Sequence, residues 1–112
     1  MNAAKTRSGR GAERIHSEMR AKLIFDGWDE DSPVPVILRD ISVDGAGLLH
    51  TVDLPLGRRL LLQLPPFRGS PMSLHAHVVS SRKLEPGRYR IGLQFEAHDS
   101  VALDRLRDAL LV

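Results

Sequence analysis

The sequence predicts an all-β domain with a C-terminal helix, built as a six-stranded antiparallel β-barrel. Three observations predict it. Apolar and polar residues alternate cleanly in two late stretches, as in a sheet with one packed and one wet face. Clusters of Gly, Pro and Asp separate one short apolar run from the next. Only the last stretch switches to helical spacing. The 112 residues are enough for one domain with one core. Aromatic residues make up 4% of the chain, so Leu, Val, Ile, Met and Ala must form that core.

Residues 1–14 are polar, contain glycine and lack apolar periodicity, which is the composition of a flexible N-terminal arm. The folded domain then covers residues 15–112. The first strand reads over 19–25, followed by an acidic connection that carries Trp28, for which packing against the barrel is the plainer role. The second spans 34–40, and Pro33 and Pro35 mark an edge or a strand start. The third covers 46–51 after an Asp44-Gly45 turn. A fourth covers 59–64, with Pro65-Pro66 expected to end it. In the fifth, Met72, Leu74, Ala76 and Val78 share one face, with Ser73, His75, His77 and Val79 on the other. Glu85-Pro86-Gly87 makes a turn. In the sixth, Tyr89, Ile91, Leu93 and Phe95 lie opposite Arg88, Arg90, Gly92 and Gln94. Asp99 or Ser100 can cap a helix over about 99–111 with Val101, Leu103, Leu106, Ala109 and Leu110 at helical spacing. Asp104, Arg105, Arg107 and Asp108 are then expected to face solvent. Closing the sheet removes the exposed edges of so short a meander.

Composition removes several function classes. No segment approaches the roughly 20 apolar residues that span a bilayer, and no apolar signal-peptide core opens the chain. Without cysteine there are no disulfides, no thiolate nucleophile and no thiolate metal site, and the cytoplasm is the expected compartment. His75 and His77 share a strand face, but no third ligand stands near them, so no metal is expected. Ser42 lacks a catalytic motif and no carboxylate dyad stands out, so enzymatic activity is not expected. The net charge is +2, yet Lys5, Arg7, Arg10, Arg14, Arg20 and Lys22 crowd the beginning against Glu13 and Glu18 alone. A basic arm beside a folded domain attracts nucleic acid or a phosphorylated small ligand.

Two segments carry the chemistry. Arg10 and Arg14 form an RxxxR in which Gly9 and Gly11, on either side of Arg10, each disfavour helix by roughly 1 kcal/mol. On an extended chain they project to one side about 13 Å apart. A guanidinium can fork onto phosphate, pair with the O6 and N7 edge of guanine, or stack on a purine. Asp40, Ser42 and Gly45 form a DxSxxG at the end of the second strand. The Asp40 carboxylate can accept from guanine N1–H and N2–H₂, and the Ser42 hydroxyl can donate to a phosphate or purine acceptor. Gly45 suits the positive φ of a tight turn and lets the ligand approach the backbone closely. Alone, the RxxxR reads sooner as a solvated basic tail, and the DxSxxG at least as readily as an ordinary hairpin turn with local Asx and Ser hydrogen bonds.

Their joint occurrence in an all-β pattern resembles the ligand-binding signature of PilZ domains, the receptors for cyclic di-GMP. The resemblance runs from about Gly9 to the end and includes a late Gly92-Leu93-Gln94-Phe95. It implies a six-stranded barrel of PilZ type with a C-terminal helix, in which Arg10, Arg14, Asp40, Ser42 and Gly45 bind cyclic di-GMP. It also implies an N-terminal arm that orders over the ligand, no catalysis, and a separate effector protein as output. Gly9 stands where many relatives have a basic residue before the first motif arginine, which leaves one ligand or a stacked pair open. A degenerate PilZ-like protein-interaction module without nucleotide is one rival. A small basic nucleic-acid-binding barrel is another, disfavoured because no stacking aromatics are interleaved with the basic residues.

Overall fold

The structure, a computed structural model, describes residues 15–25 and 33–110. The arm with Arg10 and Arg14 and the connection with Trp28 lie outside the described residues. Among the described residues six strands appear: β1 (Ile15–Phe25), β2 (Val34–Ile41), β3 (Gly45–His50), β4 (Arg59–Phe67), β5 (Ser70–Glu85) and β6 (Arg88–Phe95). One helix, α1 (Ser100–Leu110), follows. Every pairing is antiparallel, and the strands close into a barrel in the order β1-β2-β3-β6-β5-β4.

The alternation in the sequence sets the inside of the barrel. Met72, Leu74, Ala76 and Val78 of β5 and Ile91, Leu93 and Phe95 of β6 are buried, as are Ala21, Leu23 and Phe25 of β1. Leu23, Leu38, Leu48, Leu62 and Leu74 are wholly excluded from water. Each such leucine contributes about 2 kcal/mol of hydrophobic stabilisation.

Several boundaries differ from the sequence reading. β1 begins at Ile15 rather than at residue 19, because its first residues pair with Ile41 and Asp40 across an irregularity between His16 and Met19. Pro65-Pro66 does not end β4, which runs to Phe67. The β4–β5 register breaks between Leu64 and Phe67, and β1 pairs with β4 only as far as Gln63. The two prolines therefore occupy positions where no ladder asks for an N–H. The chain then turns through Arg68 and Gly69, both at positive φ, which suits a two-residue hairpin.

In α1, Leu106 is buried, and Ala102, Leu103, Ala109 and Leu110 pack partly against the core. Val101, expected on the apolar face, is 75% exposed. Arg105 does not simply face solvent: its guanidinium donates to the carbonyls of Pro71 (2.7 Å) and Phe67 (3.1 Å) and ties the helix to the β4–β5 turn.

Asp99 gives its carboxylate to β5 instead of to its own helix, accepting from the His75 backbone N–H at 2.7 Å and contacting His75 Nδ1 at 3.1 Å. Burial pushes the Asp99 carboxyl up, but the two His75 contacts together hold it below its ordinary 3.8. Beside it, Glu96 meets His77 Nδ1 at 2.8 Å, and that hydrogen bond holds Glu96 below its ordinary 4.5. A carboxyl depressed in the folded state stabilises above its unfolded pKa, and the gain is lost as pH falls through the folded value. This junction is thus expected to lose stability only below about pH 4.5, as the pH falls through the depressed Glu96 and Asp99 values. Thermal melts from about pH 5 to about pH 3 should show a steeper acid loss in the wild type than in His77→Ala.

Candidate functional site

β2 changes the direction of its side chains at its end. Val36 and Leu38 point inward, and strict alternation would send Asp40 into the core with them. The β2–β3 register shifts between Leu38 and Asp40, and Ile41 becomes the buried core residue. The bulge thereby re-aims Asp40 onto the outer wall of the barrel, as bulges do beside functional sites.

There Asp40 borders a cleft of about 680 Å³ lined also by Asp44, Gly47, Ser80, Arg90 and Gln94. Its floor is backbone. Gly47 of β3 and Gly92 of β6 are directly opposed Cα partners, and both face outward because Leu48 and Ile91 beside them are buried. Two adjacent strands without side chains leave a flat wall that an aromatic ring can approach closely. A Cβ on Gly47 would come within 2.7 Å of the Arg90 guanidinium and 2.9 Å of the Asp40 carboxylate, so the space over this glycine is the space those two groups use.

Arg90 Nη2 donates to Asp40 Oδ2 at 2.5 Å. The Asp40 side chain is 5% exposed and that of Arg90 38%, so the acid is embedded while the guanidinium keeps one side toward the cleft. Such a charge-assisted pair is among the stronger hydrogen bonds of a protein. Asp44 adds a second acid, whose Oδ2 is buried without a hydrogen-bond partner among the described residues.

The other two residues of the strand-end motif shape the turn. Ser42 is buried; its N–H donates to the Gly45 carbonyl at 2.9 Å and its Oγ accepts from the Asp44 N–H at 3.1 Å. The hydroxyl proton remains available for donation. Gly45 does not adopt a positive φ, contrary to one of its two expected uses. A neighbouring strand gives the reason for glycine instead: a Cβ there would lie 2.0 Å from the Leu93 carbonyl oxygen of β6. The structure therefore brings Asp40 to the cleft and sets Ser42 and Gly45 in the turn behind it, while Arg10 and Arg14 fall outside the described residues.

Arg90, Asp44 and Gly47 were not among the sequence-derived candidates. The sequence places Arg90 on a wet sheet face, and the polar side of the β6 alternation is its only signal.

Residues 8–111 match the PilZ domain. The chain belongs to the PilZ domain family. No curated protein matches it by sequence. Among solved structures, this PilZ domain resembles the PilZ domain of CeSA from a cellulose-synthesizing bacterium, with a TM-score of 0.66 at 16% identity, covering 89% of this chain and 99% of that one. It also resembles the PilZ domain of Escherichia coli YcgR with c-di-GMP, with a TM-score of 0.63 at 18% identity over 86% of this chain and 84% of the other. The MrkH–c-di-GMP complex of K. pneumonia gives a TM-score of 0.58 at 15% identity, over 89% of this chain and 51% of MrkH. At these identities the likeness is one of fold. It places the six strands and the terminal helix of this PilZ domain in a known architecture.

Proposed function

We propose that this PilZ domain is a cyclic di-GMP receptor that orders its N-terminal arm on binding and signals through a partner protein. The observation that carries the reading is the bulge that turns Asp40 out of the core to the edge of a glycine-floored cleft. The family supports it, as do two similar structures solved with this ligand, YcgR and MrkH. No catalysis is part of this reading.

Topology gives the arm its reach. Ile15 pairs with Ile41 and His16 with Asp40, so the chain enters β1 beside the strand-end motif. Arg14 immediately precedes that point. Arg10 is five residues upstream of Ile15, within about 18 Å by chain length alone. A guanine lying on the Gly47–Gly92 wall would present N1–H and N2–H₂ to Asp40, while Arg10 and Arg14 take phosphate and purine from the opposite side. Ordering each arm residue costs about 1–2 kcal/mol, offset by charge-assisted and stacking contacts. The covered surface is then the signal read by the partner.

Arg10→Ala is expected to weaken cyclic di-GMP binding about tenfold, the effect of losing one guanidinium–guanine or guanidinium–phosphate contact. Isothermal calorimetry, with GTP and cyclic GMP as controls, checks this. Undiminished affinity in that variant would remove the arm from the mechanism.

A further inference from the structure

Next to the nucleotide cleft the barrel carries a second, smaller concavity of about 270 Å³, lined by Arg39, Leu49, Arg82, Leu84, Arg88 and Arg90 together with Glu85. Four guanidiniums from three strands meet there. Arg39 and Arg88 have carboxylate neighbours, Glu18 and Glu85, but both pairs are loose at 3.8 Å and largely exposed. Exposed pairs of that kind neutralise little. Arg90 is shared with Asp40. Arg82 makes no ion pair among the described residues.

The register is an independent sign. Arg82 and Arg90 are directly opposed Cα partners across β5 and β6. Like charges opposed on neighbouring strands destabilise a sheet unless an anion lies between them. Arg90 is already paired with Asp40, so the charge left for a bound anion to relieve lies chiefly on Arg82.

We propose that this arginine cleft docks an acidic, leucine-containing segment of a partner protein. Guanidinium forks match carboxylates geometrically. Leu84, 46% exposed, and half-buried Leu49 offer aliphatic surface between the charges. Nucleic acid is the poorer occupant: no aromatic ring lines the cleft to stack a base, and Tyr89 of β6 packs instead against the core. The proposal adds to the receptor reading the chemistry of its partner, and rests on that reading only for what docking would achieve.

Fluorescence anisotropy with a labelled peptide of alternating Glu and Leu tests it, with a Lys/Leu peptide and a single-stranded oligouridine as competing probes. The variant is Arg82→Gln with Arg88→Gln, checked for folding by its melting curve. These neutralisations lie outside the nucleotide cleft and create no new partner for Arg90. The acidic peptide is expected to bind best, to weaken with added salt, and to lose about fivefold or more in affinity in the variant. Absence of acidic-peptide binding, tighter binding of oligouridine, or peptide affinity unmoved by the double variant each overturns the proposal. Cyclic di-GMP is titrated into the same samples separately, so a failure of nucleotide binding is read apart from a failure of peptide docking.

Discussion

Gly45→Ala is expected to destabilise the domain by about 3 kcal/mol, at the upper end for overpacking. The added carbon would sit 2.0 Å from the Leu93 carbonyl oxygen. That atom is backbone and cannot rotate aside. Gly45 and Gln94 are Cα partners in the β3–β6 ladder, and the Phe95 N–H donates to the Asp44 carbonyl at 2.9 Å just outside it. The collision therefore falls on the seam between the first half of the barrel and the second. For a domain near this size, such a loss lowers the melting temperature by on the order of 10 °C or more. Circular dichroism melts of wild type and variant decide it. A variant that melts with the wild type would mean that β3 and β6 do not approach as closely as described.

Asp40→Ala is expected to do the opposite: to leave the barrel standing and to remove ligand affinity. Asp40 stands outside the hydrophobic core, and its Arg90 partner is partly solvated, so the fold should lose little. The cleft would lose its acceptor for guanine and would hold the Arg90 guanidinium without its carboxylate. Each hydrogen bond to a charged acceptor that is lost costs about 1.5–3 kcal/mol. Cyclic di-GMP affinity should accordingly fall on the order of 100-fold in calorimetry. Unchanged affinity with an intact melt would place the ligand elsewhere. The two variants, five residues apart in one motif, separate a residue that closes the barrel from one that faces the ligand.

The strands were legible wherever a period-two pattern ran unbroken. From Met72 to Val78 in β5 and from Ile91 to Phe95 in β6 the inward residues are apolar and the outward ones polar or glycine, so the faces followed directly, whereas the β5–β6 register shifts past Val78. Pairing partners decided what the pattern could not. The outward turn of Asp40 depends on a bulge set by β3 and β1, and no residue within β2 announces it. Pro65 and Pro66 read locally as a stop, yet they are tolerated because the neighbouring ladder is broken there. Arg90 illustrates the same limit. Its outward face was plain, but its pairing with Asp40, fifty residues away, arises only when β2, β3 and β6 lie side by side. In the sequence Gly45 stands out for its place in a motif and for backbone freedom; closeness to Leu93, not a positive φ, is what requires it.

A titration of ¹⁵N-labelled protein with cyclic di-GMP, followed amide by amide, tests the central claim most directly. The largest shifts are expected at Gly47, Gly92, Arg90 and Asp44, together with new or displaced signals from Arg10 to Arg14. Shifts gathered instead around Arg20, Val36 and Gln63, where a second surface cleft lies, or a spectrum unmoved by saturating nucleotide, would contradict it.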